Sequence, residues 1–278
     1  MTTTEVIVTE PGIHPDMPED VYHADPVPGG SLSSSGARKL LPPHCPARYA
    51  YELLNPPPSR PEFDFGKAAH QIVLGVGADL TVIDAPDWRT KAARDQRDAA
   101  YATGQVPLLT SEYERAQAMA DAIANHKLAA GVLSAGKPEQ SAFWTDPATG
   151  IWRRARFDWL RASEVVDLKT CASADPDHIQ RAIHNYGYHQ QAAWYLDAVR
   201  DLGHCDDPAF VFVFVEKAPP HLVHVVQLDA DALAKGDALN RQAITTYADC
   251  QRTGRWPGYA DDITTISLPP WATRTQEF

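Results

Sequence analysis

At 278 residues, with 44% hydrophobic residues and seven Trp, the chain is long enough for one large domain or a core domain with an added lobe, and its composition is that of a packed globular protein. No stretch approaches the roughly 20 apolar residues of a membrane span, and Met1 to Ile13 has neither the basic start nor the apolar core of a secretory signal, so a membrane partner is not expected and a cytoplasmic location is. The net charge of -11 argues against a protein that coats nucleic acid, but not against an enzyme whose metal-holding carboxylates add negative charge.

Residues 1–30, rich in Pro, Thr and acidic side chains, read as an irregular leader. The run Ser33-Ser34-Ser35-Gly-Ala-Arg-Lys-Leu-Leu predicts a capped short helix stopped by Pro42-Pro43. A second short helix is expected over Pro46 to Leu54, before a stiff Pro56-Pro57-Pro58 linker. Helical spacing from Phe65 to Val76 places Gly66 and His70 on one helix. Trp88 to Thr103 reads as a solvated helix, and Thr110 to Ala135 as one long helix with a Ser111-x-x-Glu114 cap.

From Glu139 the period changes. Glu139 to Thr145, Ile151 to Trp159 and Glu164 to Thr170 have strand propensity and are joined by turns, which predicts an antiparallel meander. A helix over Pro176 to Leu202, broken near Gly187, comes next. Strands at Phe210–Val215 and Leu222–Leu228 precede a last helix over Ala230 to Thr253. The tail, with Trp256-Pro-Gly-Tyr and Leu268-Pro-Pro-Trp271, is expected to pack as loops. The four cysteines, Cys45, Cys171, Cys205 and Cys250, are scattered without a C-x-x-C pair. Reduced thiols are therefore expected, and an iron–sulfur cluster is not.

The positions of three acids carry the chemistry. Glu139 and Asp158 are equidistant from the centre of the Asp146–Ile151 turn, and Asp158 and Asp167 from the centre of the Leu160–Val165 turn. In hairpins without bulges the three carboxylates sit side by side, with Cβ atoms roughly 4.5–5.5 Å apart. A divalent cation would relieve their repulsion, and oxygen ligands favour magnesium, with manganese as a substitute. Lys169, two residues after Asp167, shares its strand face. An ammonium there can stabilise charge on a phosphate or lower the pKa of an attacking water. An isolated Asp-x-Lys is commonly a surface ion pair; the register of Glu139 and Asp158 is what raises it above that. Gln191 and Tyr195 share a helix face at i, i+4. The stripe Trp152-Arg153-Arg154-Ala155-Arg156 is the candidate phosphate grip, through Arg153, Arg154 and Arg156.

In order, Gly66-x-x-x-His70, Glu139, Asp158, Asp167-Leu-Lys169 and Gln191-x-x-x-Tyr195 resemble the motifs of RecB-like PD-(D/E)XK nucleases. Tyr22-His23, Leu32-Ser-x-Ser34, Phe65-Gly66-Lys-Ala-Ala-His70, Asn185-Tyr-Gly-Tyr-His-Gln-Gln191 and Trp256-Pro-Gly-Tyr259 are similar to the RecE exonuclease domain, exodeoxyribonuclease VIII, of phages and prophages. The resemblance covers roughly residues 20 to 272. It implies an α/β fold with a central mixed sheet, helices on both faces and helical N-terminal additions. It implies one nuclease domain over 31–278, with a helical part at 31–136, a catalytic core at 137–255 and a tail at 256–278. It assigns metal binding to His70, Asp158, Asp167 and the Leu168 backbone carbonyl, with Glu139 as a supporting acid. Lys169 would act on the water or phosphate, and Gln191 and Tyr195 would orient the site or touch DNA. Phe157 stands where the name motif has Pro, and Asp167 where many relatives have Glu. The implied reaction is 5′ to 3′ digestion of one strand of duplex DNA from its ends, feeding a RecT-like single-strand annealing protein, by a ring-shaped homo-oligomer. Alternatives are another nuclease of this type, cutting internally or trimming ends with an iron–sulfur cluster, and a non-catalytic DNA-binding module.

Overall fold

The structure, a computed structural model, describes residues 6–55 and 61–269. The expected linker at Pro56–Pro58 and the tail residue Trp271 lie outside them. Strand β8 (Ala209–Glu216) shows in its own sequence how the molecule is layered. Strand alternation sends Phe210, Phe212 and Phe214 to one face and Val211, Val213 and Val215 to the other, and both sets are buried. A strand buried on both faces needs cover on both. The phenylalanines pack under α9 (Tyr188–Asp201) and α10 (Ala230–Thr253), against Leu196, Ala243 and Ile244. The valines pack against α4 (Pro61–Leu74) and α6 (Thr110–Asn125), through Phe65, Ala69, Ala116 and Met119.

The sheet around β8 is mixed. The expected meander is present as β5 (Lys137–Thr145), β6 (Trp152–Leu160) and β7 (Glu164–Cys171), with β8 parallel to β7 and β9 (Val223–Val226) antiparallel to β8. The leader is not irregular throughout. It carries β1 (Gly12–His14), which pairs with the outer edge of β5, and α1 (Glu19–Ala24). Val8, Met17 and Tyr22 are buried against Phe143 there. The apolar side chains Val8, Met17 and Tyr22 supply the anchor that a reading of its polar and Pro content overlooks. A two-residue strand, β2 (Leu32–Ser33), lies parallel to β6 at Arg153 and Arg154.

Several expected helices keep their boundaries within a turn. These are α2 (Ser34–Lys39), capped by the Ser33 hydroxyl, α3 (Pro46–Leu54), α5 (Lys91–Ala102), capped by Thr90, and α10. The helix after β7 breaks where Gly187 takes φ +65°, giving α8 (Pro176–Asn185) and α9. The long helix expected over 110–135 is two, α6 and α7 (Lys127–Val132), because His126 adopts extended backbone and caps the second. Glu112, rather than Glu114, closes the start of α6 by accepting from the Leu109 N–H. A small parallel pair, β3 (Leu80–Ile83) with β4 (Val106–Leu109), was not expected from the sequence. In the tail Trp256 packs against Tyr49 and Tyr247, but Tyr259 and Leu268 are exposed.

Helices α9 and α10 cross at Gly236, where a Cβ would meet the His189 carbonyl, with its carbon at 2.7 Å. Gly236→Ala is expected to cost about 1–3 kcal/mol in urea unfolding, although alanine is the better helix former by about 1 kcal/mol.

Candidate active site

The site lies where β6 and β7 part. Their ladder holds only at Trp159↔Val166 and Leu160↔Val165. Beyond it the Leu168 N–H donates not to the neighbouring strand's backbone but to Asp158 Oδ2, at 2.8 Å. An acid side chain here replaces a rung of the sheet, which holds the strands apart and fixes the carboxylate.

The opposite edge of β6 keeps the register anticipated from the hairpin. Pro138 pairs with Trp159 and Gln140 with Phe157, which puts Glu139 opposite Asp158. Glu139 itself has φ +50°, an uncommon backbone for a non-glycine residue. On β6 the alternation of buried side chains slips at the same place: Ala155 and Phe157 face the α9 layer, and so does Leu160. Alternation from Phe157 sets Asp158 on the opposite face, toward α4, with Glu139 beside it.

Helix α4 brings His70 to meet them. Donor atoms of His70, Glu139 and Asp158 all lie within 4.8 Å of one another. His70 Nδ1 is 3.5 Å from Asp158 Oδ2, and its Nε2 is 3.0 Å from the Leu168 carbonyl. That spacing suits an N–H···O bond, and equally two adjacent ligands about 2.1 Å from one cation, which sit about 3 Å apart.

Asp167 and Lys169 share a face of β7, as alternation predicts, with Nζ 2.5 Å from Oδ2. Asp167 does not join the His70 cluster. It is 1% exposed and accepts a 2.6 Å hydrogen bond from Gln191 Nε2 on α9. Of the residues assigned to metal, His70, Asp158 and the Leu168 carbonyl thus come together with Glu139, while Asp167 flanks them. Tyr195 packs edge-on to Phe157 at 5.3 Å, beneath the site, and burial pushes its phenol well above the usual range.

The electrostatics fit an ion. Asp158 is pushed up by burial and then by the Asp167 charge, and Glu139 is raised by burial and then by Asp158. Carboxylates this close and this dry penalise their own charge unless a cation joins them. Burial lowers His70, which keeps the imidazole neutral and able to ligate. Burial works against the Lys169 charge, but Asp167 and Asp158 outweigh it and raise the ammonium. The ammonium form of Lys169 is thus favoured beside these acids. One nitrogen and several carboxylate oxygens suit magnesium or manganese.

The arginine stripe is a correction. Arg153 points into the α9 layer, 1% exposed, between the rings of Trp144 and Trp194 at 4.6 and 4.1 Å, and bonds Asp197 at 3.1 Å. It cannot reach a phosphate. Arg154 and Arg156 face the cleft, but Arg154 pairs with Asp25 and donates to the Ser31 carbonyl at 2.8 Å. Arg156 pairs with Glu139 at 2.5 Å and donates to Met17 and Ser141. Each guanidinium answers a local acid. Of the three, Arg153 is set aside as a phosphate grip, while Arg156 holds Glu139 in place.

The site opens into a cleft of about 1940 Å3, walled by residues 15–23, α2, α4 and the start of α9. This volume accommodates a polymer strand rather than a single small ligand.

Asp158 is raised from 3.8 to about 8, so the fold favours its protonated form. Such a group stabilises below its unfolded pKa, and that contribution is lost as pH rises through the folded one. The metal-free protein is expected to melt at falling temperature from about pH 5 to about pH 8. Asp158→Asn should flatten the slope, and manganese should restore most stability at the alkaline end, where it replaces a proton already lost. A flat profile in calorimetry of metal-free protein would count against this account.

Residues 33–269 match the family described as "PDDEXK-like domain of unknown function (DUF3799)". No curated protein matches the chain. Among solved structures, a Eubacterium rectale protein provisionally named an exonuclease superposes with TM-score 0.60 at 14% identity, over 86% of this chain and 91% of its own. A second, SSO0001, is 16% identical over 66% of this chain and 85% of its own, but its TM-score of 0.29 carries no argument. The first likeness shows a shared fold, and the family match spans most of the sequence. The chain belongs to this PDDEXK-like family, and so to the PD-(D/E)XK nuclease superfamily.

Proposed function

We propose that the chain is a magnesium-dependent deoxyribonuclease that digests linear duplex DNA from its ends. The observation that carries this reading is the meeting of His70, Glu139 and Asp158 donors within 4.8 Å, beside the Asp167–Lys169 pair, at the floor of an open cleft. A divalent ion bound there would supply Lewis-acid charge and lower the pKa of its water.

The chain's own groups do the rest. Neutral His70, Asp158 and Glu139, with the Leu168 carbonyl beside them, would hold the ion. Arg156 steadies Glu139, and Gln191 fixes the rotamer of Asp167. Lys169, kept protonated by its two acids and seated over the Tyr188 ring at 4.7 Å, places a positive charge against the scissile phosphate as charge develops on it. Tyr195 buttresses Phe157 from below.

The finer assignments rest on the RecE-like motifs, with the name of the Eubacterium rectale neighbour as supporting analogy. They are 5′ to 3′ polarity with 3′ overhangs, hand-over to a RecT-like annealing protein, a ring-shaped homo-oligomer, and a phage or prophage source acting in the bacterial cytoplasm. Among the described residues no helix is long and apolar enough to cross a membrane.

The test is digestion of end-labelled linear duplex against closed circular DNA with magnesium. Linear duplex is expected to shorten from its 5′ ends while the circle survives, with Lys169→Ala slowing the reaction about 10²–10³-fold. Cutting of the circle would replace the exonuclease with an endonuclease. No digestion with magnesium or manganese would leave a DNA-binding module.

A further inference from the structure

The cleft contains a cation that the site above leaves unused. Arg38, on α2, lines it beside Ser33, Ser34 and Ser35. Its guanidinium forms no ion pair with the described residues; its Nε, like those of Arg153 and Arg154, is buried without a hydrogen-bond partner. What the nearby arginines have and Arg38 lacks is a carboxylate: Asp197 for Arg153, Asp25 for Arg154 and Glu139 for Arg156. The ionisable groups that bear on Arg38 are the phenols of Tyr188 and Tyr195, uncharged near neutral pH, and burial lowers its pKa. A half-buried cation with no counter-charge is costly in a folded protein, unless a ligand supplies the missing charge.

The position of Arg38 says what that ligand is. A Cβ on Gly187 would lie 2.6 Å from Arg38 Cδ, so the arginine packs directly on the αL glycine that separates α8 from α9. The next residue, Tyr188, carries the Lys169 ammonium over its ring. Arg38 and Lys169 are thus both neighbours of the first turn of α9, on the same cleft. Lys169 already pairs with Asp167, whereas Arg38, with no acid beside it among the described residues, offers donors in a planar fork that matches a phosphate.

We propose that Arg38 binds a phosphate group of the nucleic-acid strand adjacent to the one acted on at Lys169. This rests on the nuclease reading and names a contact within it. Arg38 touches the substrate backbone and sets its register; it takes no part in the bond-breaking step.

The experiment is binding of a fluorescent DNA 12-mer to metal-free protein across a salt series, for wild type, Arg38→Lys and Arg38→Gln. Melting temperature and manganese affinity are measured alongside. Arg38→Gln is expected to weaken binding about tenfold and to reduce the salt slope by about one, with melting temperature held or raised, since an uncompensated cation is removed, and manganese affinity unchanged. Arg38→Lys keeps the charge but loses the fork, and should fall between the two. An equal loss for 5′-phosphorylated and unphosphorylated strands assigns the contact to an internal phosphate; a loss confined to the phosphorylated strand assigns it to the terminal one. Wild-type affinity and salt slope in Arg38→Gln would overturn the proposal while leaving the nuclease reading intact. So would loss of binding together with melting temperature and manganese affinity, since that marks a structural role. If wild type binds no oligonucleotide, the nuclease reading itself fails.

Discussion

The hydrogen bond from the Leu168 N–H to the Asp158 carboxylate does two jobs that elsewhere in the sheet are kept separate. It satisfies a backbone donor that the β6–β7 ladder leaves behind, and it pins an acid in a dry slot between two strands. Because the strands part there, α4 can bring His70 against the sheet from one side while α9 brings Gln191 from the other. Without that opening, Asp158 and Asp167 would be opposed on a closed ladder, and neither helix could reach between them.

Most of the surrounding structure serves to hold charge in this slot. Arg156 binds Glu139, Gln191 binds Asp167, and Lys169 lies between Asp167 and the cleft. Burial first, and the repulsion between neighbouring carboxylates second, still raise Asp158 and Glu139 despite these contacts. The imbalance is a physical reason to expect a divalent ion: a fold that spent its arginines on satisfying every acid would have no affinity left for one. The same economy separates the arginines of the region. Arg153, Arg154 and Arg156 face acids, and Arg38, which faces phenols, is available to a phosphate.

Periodicity and register were legible in the chain itself. The alternating Phe and Val of β8 specify a strand buried on both faces, and hence helices on both sides of the sheet. Matched counts across two turns put Glu139 opposite Asp158 and Asp158 toward Asp167, since hairpin register follows from loop length. The helix break at Gly187 and the capped start of α2 are local chemistry and were equally open to reading. Together with the ordered motifs these point to the superfamily and to side chains that the fold brings together.

Which side chains share a face, and with whom, was settled only in three dimensions. The sequence offers Arg153, Arg154 and Arg156 as one basic stripe; alternation and the position of α9 send Arg153 between two tryptophans and give the other two to Asp25 and Glu139. It offers three equivalent carboxylates; the left-handed turn at Glu139 and the splay of β7 divide them into a cluster with His70 and a partner for Lys169. Arg38 carried no signal at all, because a cation becomes remarkable only when its neighbours prove to lack a countercharge. Local spacing determines elements and register, as those depend on nearest neighbours along the chain. The balance of charge in a cleft depends on residues more than a hundred positions apart, and only packing brings those together.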